Sequence, residues 1–459
     1  MWGEQKFTAN RLIIEEKIRN RRFWQMKGKK LYLKIVVALS LVILLGGGLK
    51  YFAPVQGEDP ESIMEVVYPK AYAFENHNAR VKLWEENPLD EEFIHAIQGF
   101  SYRTATEILK SADGNSNYSP ASLYFALALA TTGAKDETRG ELLNLLGVDD
   151  VEILSEQSGN YYRRLYKDNE IGQLKIANSY WMDEYVMDQP VEFHQDFIDN
   201  AVENFYTETF LVDFSKREAG KIMGEWVASK TKGTLSPSFE VDPEQILSII
   251  NTIYFYDQWV DRFNSNQTEE DTFTLSDGSE VTTDFMNQTY SSMNFSRGEG
   301  FTRAARSLKN GGRMVFVLPD EGVTPQEFFA SPDSLKEAFE GGKGYFGEVE
   351  WKVPKFSFNS SFDLTEAMNT LGVNKAFSEE ADFTGMTDHF AFISEVKQET
   401  HIAIDEEGVT ASSFTQIMAA GSGLPEDQAE MILDRPFLYG IKSGDGTLLF
   451  IGVVENPEE

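Results

Sequence analysis

Cysteine is absent from all 459 residues. Disulfide frameworks, thiolate metal centres and thiol nucleophiles are thereby excluded, and cysteine usage says nothing of the redox compartment. Histidine is scarce too: the five present (His77, His95, His194, His389, His401) show no close ligand spacing such as H-x-x-x-H. Neither a metal site nor a cofactor is expected from such a set. Basic residues are sparse except at the start of the chain. Residues 1–34 carry ten Lys/Arg against Glu4, Glu15 and Glu16, and the remainder holds 31 basic against 71 acidic residues, a net charge of −40. A body that acidic repels nucleic acid and glycosaminoglycan, and both are excluded as partners.

Long apolar runs are also rare. The clearest is Ile35 to Leu49, flanked by Lys34 and Lys50. A membrane span needs roughly 20 residues, but lysines that snorkel let Leu31 to Phe52 cross. The basic leader is long and no A-x-A site follows, which favours an uncleaved anchor over a cleaved signal. Four regions result: a basic cytoplasmic leader (1–34), a transmembrane or signal-anchor segment (35–52), a proline-bearing stem (53–88) and the main domain (89–459). Positive residues inside place the acidic body outside the cytoplasm, held at the membrane, or secreted if the signal is cleaved.

The main domain begins with apolar residues at helical spacing (Phe93, Ile94, Ile97, Phe100). In Ser119-Pro120-Ala121-Ser122, Ser119 is a natural N-cap and Pro120 suits the first helical position, opening a helix apolar enough to be buried. Further helices are expected around Glu137–Leu146 and His194–Tyr206. Strands are expected over Leu247–Phe255, Arg313–Leu318, Glu350–Phe358, Phe390–Glu395, Pro436–Ile441 and Leu448–Val454. Helices first and strands later imply an α+β domain. Five N-x-S/T sequons (Asn117, Asn266, Asn287, Asn294, Asn359) are too short a signal to show glycosylation.

One stretch does not fit an ordinary surface loop. From Glu406-Glu407-Gly408-Val409 to Gly423-Leu424-Pro425 the chain is small and β-tolerant, and it carries no charge after Glu407. Strand residues alternate between faces. One face would present Val409, Ala411, Ser413, Thr415, Ile417 and Ala419, all small or β-branched and able to be buried inside a sheet. The other would present Thr410, Ser412, Phe414, Gln416, Met418 and Ala420. A plain edge strand is the simpler reading of the same pattern.

The motifs decide between these readings. Ser119-Pro120-Ala121-Ser122, Trp226-Val227 through Thr231 and Gly233, Asn251-Thr252-Ile253-Tyr254-Phe255 with Trp259 and Phe263, and Val353-Pro354-Lys355-Phe356 follow one another in order. So do Leu371-Gly372 through Ala376-Phe377, Ala381-Asp382-Phe383-Thr384-Gly385-Met386, Asp434-Arg435-Pro436-Phe437 and Leu449-Phe450-Ile451-Gly452. Together they resemble the serpins, over about 370 residues. The resemblance implies one large domain, about nine helices around three β-sheets with an exposed reactive-centre loop, and a protease inhibitor rather than an enzyme.

It further implies that Glu406, Glu407, Gly408, Val409, Thr410, Ala411, Ser412 and Ser413 form the hinge of that loop. Ser119, Ser122 and Asn251 match the family's shutter, where Gln398 takes the place of a common histidine and keeps its donor and acceptor capacity. His401, three residues on, reads as structural. Hinge spacing puts the scissile bond at Ser422-Gly423, with Gly423-Leu424 and Ala420-Gly421 as alternative registers. Small residues there suit elastase-like or subtilisin-like serine proteases, since a trypsin-like pocket finds no Arg or Lys. The inhibitor would act as a monomer. A non-inhibitory serpin, working as a binding carrier or chaperone, is the competing expectation.

Overall fold

A computed structural model describes residues 62–63, 66–186, 189–409 and 427–459. The leader, the 35–52 segment, the hinge residues Thr410, Ala411, Ser412 and Ser413, and the Ser422-Gly423 bond all lie outside the described residues. Among the described residues no helix is long and apolar enough to cross a membrane. Glu58–Glu459 forms one compact unit, distinct from Met1–Gly57.

The described residues contain nine α-helices and three sheets, of seven, nine and two strands. At the centre lies the helix Pro120–Gly133, with every residue but Thr132 buried. Its start follows from the sequence: Ser119 has extended backbone angles, its side chain accepts the Ser122 amide, and Pro120 occupies the first turn. A helix apolar on all sides needs partners on all sides, which the helices Glu91–Leu109 and Val151–Leu165 and both large sheets provide. Val151–Leu165 is capped by Asp150, which accepts the amides of Glu152 and Ile153 at 2.9 Å each.

The seven-stranded sheet runs in the order Phe356–Asp363, Ile393–Ile404, Gly408–Val409, Leu247–Gln258, Gln173–Asp183, Lys167–Asp168, with Glu208–Val212 parallel to Gln173–Asp183. The nine-stranded sheet includes Ser116–Tyr118, Leu448–Val454, Phe437–Lys442 and Arg313–Pro319 in sequence across one half, and ends at Asp427–Ile432. The chain therefore leaves one sheet at Val409 and re-enters the other at Asp427. Residues 410–426 join the two.

Several boundaries differ from expectation. The strand expected over Glu350–Phe358 is two strands, Lys343–Pro354 and Phe356–Asp363, in different sheets. Lys355 marks the change, its amide donating to Asp284 O at 2.9 Å. The strand expected at Phe390–Glu395 spans Ile393–Ile404 instead, because the residues from Lys397 onward are held by the ladder to Phe356–Asp363 rather than marked by an apolar run. The 19-residue strand Glu280–Gly298 was not anticipated; it is polar, buries only Thr283, Phe285, Met286 and Phe295, and lacks an apolar run.

Residues ahead of Asp90 also carry structure. Ile63 donates its amide to Thr209 O at 2.8 Å, Tyr68 stacks on Tyr166, and His77–Glu86 is a helix.

Candidate functional site

Two neighbouring strands, Leu247–Gln258 and Ile393–Ile404, run parallel and pair from Leu247/Ile393 to Thr252/Glu399. Beyond that point they part. Ile253–Tyr256 keep their outer partners in Gln173–Asp183, and Thr400–Ala403 keep theirs in Phe356–Asp363, but no ladder joins the two inner edges. At the far end of the opening sit Gly408 and Val409, antiparallel to Gln258 and Asp257, with Val409 also opposite Ile404. Unpaired inner edges of this kind are ladder positions ready for an added strand.

Gly408 and Val409, expected from the sequence as hinge residues, are part of the sheet. Val409 is 2% exposed. A Cβ on Gly408 would lie 2.3 Å from Asp257 O, so this register requires glycine. Val409, the first residue of the small, β-branched face expected from the alternation, is thus buried.

What seats the hinge is a tight turn. Asp405 Oδ1 accepts the amides of Glu407 (2.9 Å) and Gly408 (3.1 Å), and the Asp405 amide donates to Gly408 O at 3.0 Å. The turn is then gripped from the strand it faces. Trp259 donates its amide to Glu407 O (3.0 Å) and its indole Nε1 to Asp405 O (2.9 Å), while the Phe263 amide reaches Glu406 O at 3.0 Å. Trp259 and Phe263 are in turn braced by Arg306. This guanidinium is buried, lies 3.8 Å from the Phe263 ring centroid and 5.5 Å from that of Trp259, and also faces Tyr290 and Trp351. Cations over aromatic faces are attracted by the ring quadrupole, the more so when desolvated.

Charge adds a second grip. Lys355 Nζ pairs with Glu406 at 2.9 Å, and Thr268 Oγ1 donates to the same carboxylate at 2.7 Å. Burial alone would raise the Glu406 carboxyl, but Lys355 and Thr268 together hold it below its ordinary range. Glu407 lies 4.0 Å from Arg262. Lys355, Arg306 and Thr268 were not singled out as site residues from the sequence. Lys355 did stand in a quoted motif, which was its one available signal.

The closed end of the strand pair rests on a polar cluster beneath it. Gln398 Nε2 donates to Ser119 O and to Asn251 Oδ1, both at 2.9 Å, and its Oε1 accepts the Ser119 amide at 2.8 Å. Ser119 Oγ donates to Leu449 O at 2.8 Å, which ties the helix start to the other large sheet. The expected residues Ser119, Asn251 and Gln398 are thus brought into contact, all fully buried. Ser122 sits one turn into the helix, and its hydroxyl has no partner among the described residues. Asn178, not anticipated, extends the cluster by accepting from Asn251 Nδ2 at 3.2 Å. His401 lies apart, bonded to Asn359, with burial lowering its imidazole below the usual value. Asn117 is fully buried, with its side chain accepting from Tyr439, so its sequon lies in the core of the folded chain.

Comparison with known proteins agrees with this geometry. The model of the serpin (serine protease inhibitor) family matches residues 95–457, and the chain belongs to that family. Serpin-Z1B of Triticum aestivum is 30% identical over 384 residues, covering 78% of this chain and 94% of its own. Among solved structures, the native state of the thermophilic serpin tengpin is similar at a TM-score of 0.72 and 27% identity, covering 80% of this chain and 95% of tengpin. A thyroxine-binding globulin complexed with thyroxine is similar in fold, at a TM-score of 0.67 and 24% identity over 80% of this chain and 99% of its own.

Proposed function

We propose that this protein inhibits serine proteases as a suicide substrate. The observation that carries the reading is the hinge: Gly408 and Val409 occupy the mouth of an unfilled strand position, and an uncharged, β-tolerant stretch follows them in the sequence. A protease that attacks Ser422-Gly423 forms an acyl-enzyme, and the freed strand continues into the opening behind Val409. About ten new ladder bonds at about 1 kcal/mol net each would supply on the order of 10 kcal/mol. That free energy is held back in the intact protein by a barrier, so its stability is a matter of rate. The Glu406 and Trp259 contacts would fix where insertion starts.

The small residues around the bond favour elastase-like or subtilisin-like enzymes. The ten basic residues ahead of the 35–52 segment favour an inhibitor tethered with its body outside the cytoplasm, where it would act as a monomer.

The test is incubation of the protein with elastase-like, subtilisin-like and trypsin-like proteases, followed by SDS gels and mass spectrometry of the released peptide. An SDS-stable adduct with one of the first two, and a peptide beginning at Gly423, is the expected result. Clean cleavage without an adduct would replace inhibition with the carrier or chaperone role.

A further inference from the structure

A cavity of about 720 Å³ lies between the helix His77–Glu86 and the body of the domain, within the size range of small-molecule sites. Its walls are largely apolar, with Trp84, Leu165, Leu174 and Phe255 among them. The helix over it buries none of its own residues; Val81 and Trp84 line the cavity yet remain 58% and 44% exposed. An amphipathic wall left this open is a place for a ligand with an apolar body.

The charged groups set the ligand's sign. Arg164 and Lys442, at the cavity edge, are each paired with a carboxylate, Asp445 and Glu340. Lys167 and Arg80 are not: among the described residues neither has a carboxylate within ion-pair distance. Lys167 Nζ donates only to the carbonyls of Arg164 and Tyr166, and Arg80 stacks 5.1 Å from the Phe74 centroid and bonds His77. Burial drops the Lys167 ammonium to about 8 despite Asp445 and Asp257 nearby, as befits a cation short of a counter-ion. Three acids line the cavity: Asp445 is taken by Arg164, Glu85 is exposed to solvent on the helix, and Asp257 is occupied by the Asn310 amide and side chain and by the Gln258 amide. Asp257 is also the residue whose backbone pairs with Val409.

We propose that this cavity binds an amphipathic organic anion, an aromatic or aliphatic carboxylate held by Lys167 and Arg80, and that its occupancy alters the seating of the hinge through Asp257. The consequence for protease trapping rests on the inhibitory reading above; the binding and its effect on the hinge do not. A ligand shifts the hinge only as far as its affinity differs between the seated and unseated states, so the hinge itself must be observed.

The experiment titrates the full-length protein with 2-naphthoate by calorimetry, beside neutral 2-naphthalenemethanol and cationic 2-naphthylmethylamine. One naphthoate per chain is expected, about tenfold tighter than the alcohol, the equivalent of one good charge-assisted contact. Lys167→Met should remove that preference while the alcohol still binds, which shows the cavity intact; Arg80→Gln, at a more exposed position, should weaken naphthoate alone. Hydrogen exchange at the Gly408 and Val409 amides should change when naphthoate is bound. Absence of saturable binding, an amine that binds as well as the acid, or naphthoate affinity untouched in both variants would overturn the site. Unchanged exchange at the hinge would overturn the coupling. Loss of SDS-stable adducts alongside intact binding and exchange would instead defeat the inhibitory reading and leave this site standing.

Discussion

The two ends of one strand pair are held shut by different means. At the Leu247–Thr252 end, the strands pair directly with Ile393–Glu399 and rest on Gln398, whose side chain links Ser119 to Asn251 from within the core. Towards Gln258 and Ile404 the direct ladder is missing, and the sheet is bridged by Gly408 and Val409, a piece of the loop itself. The closed end is stabilised by groups that stay put. The open end is stabilised by groups at the edge of the very segment proposed to move. Separating the closed end would deprive the buried Ser119 amide and Asn251 Oδ1 of their partners, a cost the open end does not carry.

The largest expected effect lies at the open end. Val409→Arg puts an unpaired charge on a buried, inward position, at a cost of several kcal/mol. The variant should fold with its hinge unseated and be cleaved as a substrate, whereas Thr410→Arg, at the position the sequence alternation assigns to the other face, should keep more inhibition. Stoichiometry of inhibition against the protease that the parent traps is the readout, and equal behaviour of the two variants would break the inward assignment of Val409.

At the closed end, Gln398→Ala leaves the buried Ser119 amide and Asn251 Oδ1 without partners. Each unsatisfied group costs about 1–3 kcal/mol, so a loss of about 3 kcal/mol or more is expected. Thermal unfolding should show a large fall in midpoint, with faster amide exchange over 393–399. A midpoint within error of the parent would mean that this end does not depend on the cluster.

A smaller effect is expected of Gly408→Ala, whose Cβ would overlap Asp257 O. Relieving the overlap should cost about 1–3 kcal/mol and expel the turn rather than unfold the domain. Exchange should rise at 408–409 and stay unchanged over 393–399. Increases at both ends would show that the ends are not independent.

The smallest effect concerns the ion pair. Lys355→Met should cost roughly 1 kcal/mol near neutral pH, since both partners are only partly buried. Glu406 has its carboxyl depressed in the folded state, so its contribution is present above the unfolded value of about 4.3 and is lost as pH falls through the lower folded value. The difference in unfolding midpoint between parent and Lys355→Met should therefore be constant above about pH 5 and shrink in stronger acid. A difference that stays the same down through stronger acid would show that the Glu406 charge contributes nothing and leave the grip to Trp259 and Phe263.

Much of this protein could be read without coordinates, because the signals were local or came in a fixed order along the chain. Ser119-Pro120 set the start of the buried helix through a cap and a pre-shaped first turn. The ordered motifs named the family. Tertiary structure alone decided that Gly408 and Val409 are paired into the sheet, that the Lys355 ammonium meets Glu406, and that Arg306 stands among four aromatic rings including Trp259. It also decided that Asn178 joins the cluster and that Lys355 divides two sheets. The reason is separation: Gln398 and Asn251 are 147 residues apart, and no local preference of either residue encodes the other. Their meeting depends on which strands become neighbours, and that is settled only when the whole sheet packs over its helix.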